Sequence, residues 1–300
     1  MPDRNFLLSL TKEFGTPLYV IDERVLVDRA RYIELCYSIF PTQVLIAYPF
    51  KVNPLPKIIQ VMKDLGRWAE VASGLEINLA TNLGFEPQRI IFNAPYKTEE
   101  DMVLAIKLGC KIHIDNFDEI KLLKSISGSF TGKINVGVRV SYPEAGKWSR
   151  FGFDLGNETY QAVQEILRIK SVNFVGLHCH QSNIISLHEY GAFLRKLFAL
   201  ASSIQSGYGV SLQYIDIGSG FPVSYPRPIN DLTWSPPDIK EYAKLAKELW
   251  VKNNFKEPAP KLIIEPGRSA IASSGNLLTK VVSIKQRRNE NIVFTDIALN

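Results

Sequence analysis

The stretch VLIAYPFKVNP, residues 44–54, decides the fold. A run of apolar, β-prone residues ends at Lys51, and Asn53 and Pro54 open a segment that reads as a helix from about residue 55. This is a strand that delivers one lysine to its C-terminal tip. Taken alone, such a lysine is equally a solvated charge. Seven further segments repeat the pattern, with strands expected at 68–72, 89–95, 111–116, 134–140, 172–180, 212–220 and 262–265. Helix-period segments alternate with them at 55–65, 75–83, 98–108, 117–126, 158–169, 187–206 and 238–253.

The strands are apolar at consecutive positions, as in IIFNAP and YIDIG, the pattern of strands buried on both faces. Strict alternation of strand and helix implies parallel pairing through right-handed crossovers. Eight such units over about 220 residues match a closed (β/α)8 TIM-like barrel of the α/β class. An open doubly wound sheet is the competing architecture, but no GxGxxG follows the first strand. Upstream, residues 1–16 read as a short helix closed by Gly15. Residues 16–21 follow as a strand, and Asp22 caps a helix that runs to about residue 40. Beyond Glu265 the texture becomes all-β: 270–272, 277–284 and 292–297 are β-prone, with a polar turn at 285–291. The expected organisation is an N-terminal segment (1–40) whose strand joins the later β-region, a barrel (41–267), and the start of a C-terminal β-domain (268–300) that reads as truncated.

The chain has 300 residues, 46% of them hydrophobic, and a formal charge of +5. That is enough apolar material for a large core. Acidic residues interleave with the basic ones throughout, so the basic stripe of a nucleic-acid binder is missing. Three cysteines in unrelated contexts favour a reducing compartment without a disulfide framework. The apolar patch near the N-terminus is too short for a signal peptide or a membrane span. A cytoplasmic protein without nucleic-acid or membrane partners is expected.

In a barrel of this kind the active site collects at the C-terminal strand ends. There the sequence brings Lys51, then Glu70 with Glu76, Asn93, Arg139, His178-Cys179-His180 with Asn183, Asp216 with Gly218-Ser219-Gly220, and Glu265 with Gly267-Arg268. His178 and His180 are expected to diverge, one toward the mouth and one away. An HxH pair also suits zinc, with Asp216, Glu265 or Cys179 as third ligand. The glycines after strands seven and eight suit a phosphate held by backbone N–H groups, because glycine allows close approach. Glu265 is an acid in an apolar strand and needs a partner. Phosphate site, lysine, histidine and buried carboxylate together suit pyridoxal phosphate, although composition and spacing do not establish it.

The set AYPFKVNP (47–54), AEVASGLEINLA (69–80), IIFNAPYKTEEDM (90–102), GVRV (137–140), RFGFDL (150–155), GLHCH (176–180), DIGSGFPV (216–223) and IIEPGRS (263–269) resembles the fold-type III pyridoxal-phosphate decarboxylases. The likeness is strongest to their diaminopimelate decarboxylase branch, with the ornithine and arginine decarboxylases as relatives, and it runs in order over nearly the whole chain. It implies an alanine racemase-like barrel with Lys51 as the Schiff-base lysine. It further implies His180 stacked on the cofactor ring, Glu265 at the pyridine nitrogen, and Arg139 on the side of the phenolic oxygen. Gly218, Ser219, Gly220, Gly267 and Arg268 would line the phosphate, Arg268 alternatively meeting a substrate carboxylate. Glu70 stands where the family has an Asp assisting the lysine. Ser182 and Asn183 replace the family's Gly-Ser pair, and DIGGG has become DIGSG.

The family's later β-domain supplies a cysteine motif to a neighbouring subunit and a tyrosine near the phosphate, and neither occurs in this sequence. A fragment or split arrangement is favoured over a decayed relative because the cofactor-binding residues are largely intact. The activity implied is α-decarboxylation of a diamino or basic amino acid such as meso-diaminopimelate. A homodimer is expected, or assembly with a chain supplying the C-terminal β-domain. A cofactor-binding non-catalytic homologue and an amino-acid racemase remain as alternatives.

Overall fold

The structure, a computed structural model, describes residues 3–142, 149–182, 184, 186–223, 235–288 and 290–297. The chain divides into two compact units, residues 30–269 and residues 1–29 with 270–300, and the division falls inside helix α2 (Glu23–Tyr37).

The larger unit is a closed barrel. Its strands are β2 (Val44–Pro49), β3 (Trp68–Val71), β4 (Ile90–Phe92), β5 (Lys111–Ile114), β6 (Ile134–Ser141), β8 (Val172–Cys179), β9 (Tyr214–Asp216) and β10 (Lys261–Ile264). Among the described residues they pair in parallel around the ring, β5-β4-β3-β2-β10-β9-β8-β6, and β5 pairs with β6 to close it. The expectation of eight parallel strands is met, and the open-sheet alternative falls on the β5–β6 pairing. A two-residue strand, β7 (Phe153–Asp154), attaches to β6 outside the ring. It is too short to leave a periodic signal in the sequence.

Helices α3 (Pro56–Asp64), α4 (Gly74–Asn82), α5 (Glu99–Leu108), α6 (Phe117–Ile126), α7 (Asn157–Leu167), α8 (Leu187–Tyr208) and α9 (Ile239–Asn253) alternate with the strands. Their starts are written locally. Ser73, Thr98, Asn116 and Ser186 each accept the backbone N–H three residues on, and Asp238 with Glu241 forms a capping box. Glu76 belongs to this set, since its Oε2 accepts the Ala72 N–H at 2.7 Å. It is thus a helix-start residue and not part of the mouth. No described helix is long and apolar enough to cross a membrane.

Side chains alternate along each strand between the helix layer and the barrel axis. Leu45, Ala47, Ile91, Val175, Tyr214 and Ile263 pack the lower interior with Trp68 against them. Above them β5 turns a polar row inward. Lys111 lies over the rings of Trp68 and Tyr214, His113 is 3.0 Å from the Tyr214 hydroxyl, and Asp115 pairs with Arg139. Gly137 and Gly176 face each other across β6 and β8 and make this possible. A Cβ at 137 would lie 2.5 Å from the Tyr214 hydroxyl and 2.9 Å from His113, and one at 176 would enter the Tyr214 ring.

The smaller unit contains α1 (Arg4–Phe14) and β1 (Leu18–Ile21), which pairs antiparallel with β11 (Gly275–Leu278). It also holds a hairpin of β12 (Val281–Arg287) and β13 (Glu290–Thr295). The sequence suggests strand at 270–272, but the chain instead makes a short helix, α10 (Arg268–Ile271), and a 3-10 turn, Ala272–Ser274. Three apolar residues carry no period that separates helix from strand. The hairpin is also tighter than the polar run suggests, with Lys285, Gln286 and Arg287 all paired in β12.

Candidate active site

At the end of β2 the chain does not stay extended. Phe50–Val52 forms a single 3-10 turn that lifts Lys51 onto the mouth, its side chain 46% exposed. Its Nζ lies 2.9 and 3.0 Å from the two oxygens of Glu70, which is buried at the end of β3. Desolvation draws the lysine pKa down, but Glu70 and then Glu265 outweigh it, so the net direction is up. Glu70 is pushed up to about 7 by burial and by the second carboxylate, with Lys51 opposing. The ammonium is therefore held charged, while Glu70 itself titrates close to neutrality.

Glu265 follows β10 and is 1% exposed. Neither of its oxygens receives a hydrogen bond from a described residue; His178 Nε2 stands 3.6 Å away and His180 Nδ1 3.9 Å. Burial by itself would raise this carboxyl, but His178 and the Lys51 ammonium prevail and its pKa is lowered. Asp216 is raised instead, first by burial and then by Glu265. Of the two neighbouring acids, Glu265 is thus favoured as the anion and Asp216 is pushed toward its protonated form.

Both histidines of the HxH motif reach Glu265, which corrects the expectation that they diverge. Residues i and i+2 of a strand point to the same side, so His178 and His180 share the inner face. Burial lowers both, His180 to about 3, so each imidazole is neutral at physiological pH. The zinc alternative does not gather the residues the sequence named. Among the described residues, the buried ligand types that approach within 4.8 Å of one another are His113, His178 and Asp216, without His180. The rings of His113 and His178 lie face to face, 4.9 Å apart at 17°, so their in-plane lone pairs do not converge.

After β9 the chain turns through Gly218 (φ 59°) and Gly220 (φ 114°), a left-handed path. The Gly218 N–H is taken by Asp216 at 2.9 Å, and the Ser219 N–H points to His180 Nδ1 at 3.4 Å. A Cβ at 218 would press on His180, and one at 220 would overlap the Gln181 carbonyl. Gly267 approaches Val52 and Pro49 so closely that a Cβ would sit 2.5 Å from Val52. The β9 and β10 loops are thus drawn against the Lys51 turn. Arg139 lies under the mouth, 3.5 Å from Asp115 with its guanidinium over the Phe151 ring. Arg268 opens α10 and is exposed. Asn183 lies outside the described residues.

The structure therefore brings Lys51, Glu70, His180, Gly218, Ser219, Gly220, Glu265 and Gly267 to one barrel mouth, with Arg139 beneath it and Arg268 at the start of the helix that follows β10. It adds residues to which the sequence assigned no role. Asn93 touches both Glu70 and His178, and His113 and Tyr214 lie beneath. Lys97 forms a buried ion pair with Glu119. His113 left a trace in the sequence, since KIHID sets a histidine at inward parity in an otherwise apolar strand. Lys97 left none, because a lysine in a loop reads as solvated.

The family model for the pyridoxal-binding domain of the pyridoxal-dependent decarboxylases matches residues 27–272. A diaminopimelate decarboxylase of Aquifex aeolicus is 29% identical over 306 residues, 98% of this chain and 69% of that protein. The crystal structure of a diaminopimelate decarboxylase from M. jannaschii superposes with a TM-score of 0.87 at 26% identity, covering 97% of this chain and 69% of that one. The same enzyme in complex with L-lysine gives 0.86 at 27% identity, with the same coverage. With the matched segment spanning the whole barrel and every strand-end residue described above, the chain belongs to the pyridoxal-dependent decarboxylases.

Proposed function

We propose that this chain catalyses the α-decarboxylation of a diamino acid, with meso-diaminopimelate as the substrate. The observation that carries this reading is a half-exposed lysine amine facing the same mouth as a buried glutamate whose two oxygens receive no hydrogen bond from the described residues. The residues present fit pyridoxal phosphate. Glu265 is a buried anion that accepts no hydrogen bond from the described residues, a need that a pyridinium N–H would satisfy. At 218, 220 and 267 a Cβ would collide with His180, Gln181 and Val52, so the β9 and β10 loops keep bare backbone at the mouth, where a phosphate dianion would approach.

Pyridoxal phosphate supplies the electron sink that accepts the pair left behind when CO2 departs. Lys51 would supply the amine that anchors the cofactor through its aldehyde carbon. Glu70 keeps that amine oriented through both carboxylate oxygens. Glu265 would hold the ring nitrogen protonated, and His180, neutral, would offer its ring face. Arg139 places a cation on the barrel side of the mouth, where Asp115 and Phe151 fix it. One C–C bond breaks, and a proton takes the place of the carboxylate on the same carbon. The substrate assignment is supported by the diaminopimelate decarboxylases among the chain's relatives and by the L-lysine held by one of them.

A cytoplasmic homodimer is part of this reading. Val52 in the turn after β2, Leu55 just before α3, Leu75 in the first turn of α4 and Tyr96 after β4 are exposed apolar side chains near the C-terminal strand ends. A second subunit over those side chains would exclude water from the mouth.

The test is to add pyridoxal phosphate to the purified chain, reduce with borohydride and map the labelled peptide, then assay CO2 release from meso-diaminopimelate, lysine and ornithine. A reducible visible band at Lys51 and release from diaminopimelate alone are expected. A band without release from any of the three would leave a cofactor-binding protein and overturn the decarboxylase reading. The 218–220 turn gives a second expectation. Gly220→Ala forces a side chain into a glycine-only region at about 1–3 kcal/mol before the clash with Gln181 is counted. Cofactor affinity in a fluorescence titration should then fall by at least about tenfold, with the barrel's circular dichroism unchanged.

A further inference from the structure

A line of buried polar side chains runs beneath the mouth from the lysine end to the carboxylate end. Glu70 Oε1 is 3.4 Å from Asn93 Nδ2, which is 3.2 Å from His178 Nε2, which is 3.6 Å from Glu265 Oε2. With Lys51 on Glu70, the polar contact from Nζ to Glu265 is continuous. All four members from Glu70 to Glu265 are at most 3% exposed. His178 cannot swing away, because its ring lies against His113, which the Tyr214 hydroxyl holds in turn. The other ionisable groups facing the line are Lys51 from the β2 turn, Arg139 and His180 from the ends of β6 and β8, Asp216 from β9 and His113 from β5.

We propose that Asn93 and His178 are positioning residues that bridge Glu70 to Glu265, so that proton occupancy at the lysine end of the site is set together with that at the carboxylate end. The proposal rests on the mouth being the cofactor site, and it concerns how the chain's own groups are tied together there. The bridge has two arrangements. When Glu70 is ionised, Asn93 turns its NH2 group to it, and the second N–H of that nitrogen goes to His178 Nε2. Nε2 then accepts, the imidazole proton sits on Nδ1, and Nε2 has no proton to offer Glu265. When Glu70 is protonated, the amide turns over and Asn93 Oδ1 accepts from Glu70 and faces Nε2–H. That one N–H, shared between Asn93 Oδ1 and Glu265 Oε2 3.6 Å away, stabilises the Glu265 anion. One amide and one imidazole tautomer thus make the two acids antagonistic beyond their direct repulsion. Drawing negative charge fully onto Glu265 then favours a proton on Glu70, beside Lys51 Nζ.

The test reads the carboxyls themselves in the cofactor-free chain. Carboxyl carbons of 13C-glutamate-labelled protein are titrated by NMR, with the Glu70 resonance assigned by its loss in Glu70→Gln. Glu265→Gln should lower the Glu70 midpoint by about one pH unit in the native background. In the Asn93→Leu background the same substitution should shift it by less than half as much. An equal shift in both backgrounds would mean that the two acids interact through space alone, and it would overturn the bridge. His178→Phe cuts the line at the next joint while keeping the stack on His113, and the same loss of coupling is expected, which keeps the test decisive should Asn93→Leu fail to fold. Pyridoxal phosphate binding is measured separately on each variant. Coupling in a chain that binds no cofactor would support the bridge while removing the cofactor reading on which its purpose rests.

Discussion

Lys51→Ala is expected to lower kcat/KM for decarboxylation by at least about 10^4-fold, the scale of losing a covalent catalytic group whose neighbours remain. The loss should fall on kcat, and the variant should still bind pyridoxal phosphate, weakly and without a borohydride-reducible band, because the 218–220 turn and Glu265 are untouched. Folding should be nearly unaffected. The Lys51 side chain is half exposed, and its removal leaves Glu70 buried without a cation. Burial already pushes Glu70 up to about 7, so losing the ammonium moves it further and the group stays protonated below that pH instead of remaining a stranded anion. An unfolding midpoint within about 2 °C of the parent fits that account. A variant retaining turnover within tenfold of the parent would show that Lys51 is not the amine in question.

The barrel was legible because its signals are local. Consecutive apolar residues in IIFNAP and YIDIG mark strands buried on both faces, and Ser73, Thr98, Asn116 and Asp238 announce helix starts. All eight strands of the ring fall within the segments read from sequence, give or take a residue or two at the ends, where pairing rather than propensity sets the boundary. The short helix at Arg268–Ile271 was not legible, since β-prone residues there adopt a turn dictated by the loop they close. At the site, residue types in loop motifs named the mouth: Lys51, Glu265 and the 218–220 turn. The support beneath it is non-local. Asn93 meets His178 and His113 meets Tyr214 only because four strands bring them to one level, and the closeness depends on Gly137 and Gly176 having no side chains. The misjudged HxH pair was a matter of parity, which the sequence did contain: two residues apart on a strand means the same face.

The Lys97–Glu119 pair gives the second large effect, on stability instead of rate. Lys97 follows β4 with its side chain fully buried. Its Nζ donates to both oxygens of Glu119 at 2.9 and 3.1 Å and to the Ala94 carbonyl at 2.8 Å, with the Phe92 ring nearby. Glu119 in turn accepts the Asp115 N–H at 2.9 Å, and Asp115 holds Arg139. Burial lowers the lysine and raises the glutamate, each opposed by the other, so the pair survives only as a pair. Lys97→Met removes the cation and leaves Glu119 buried beside Asp115. The expected cost is about 3–5 kcal/mol, which for a unit of this size lowers the unfolding midpoint by roughly 10 °C. Adding Glu119→Gln removes the stranded charge while keeping an acceptor for the Asp115 N–H, so the double variant should be more stable than Lys97→Met alone. A double variant no better than the single one would mean that lost packing, not an uncompensated charge, sets the cost. The same series reports on the site, since Asp115 is the anchor of Arg139. Lys97→Met should weaken pyridoxal phosphate binding in titration, and the double variant should recover it in step with stability if Arg139 is held through this chain of contacts.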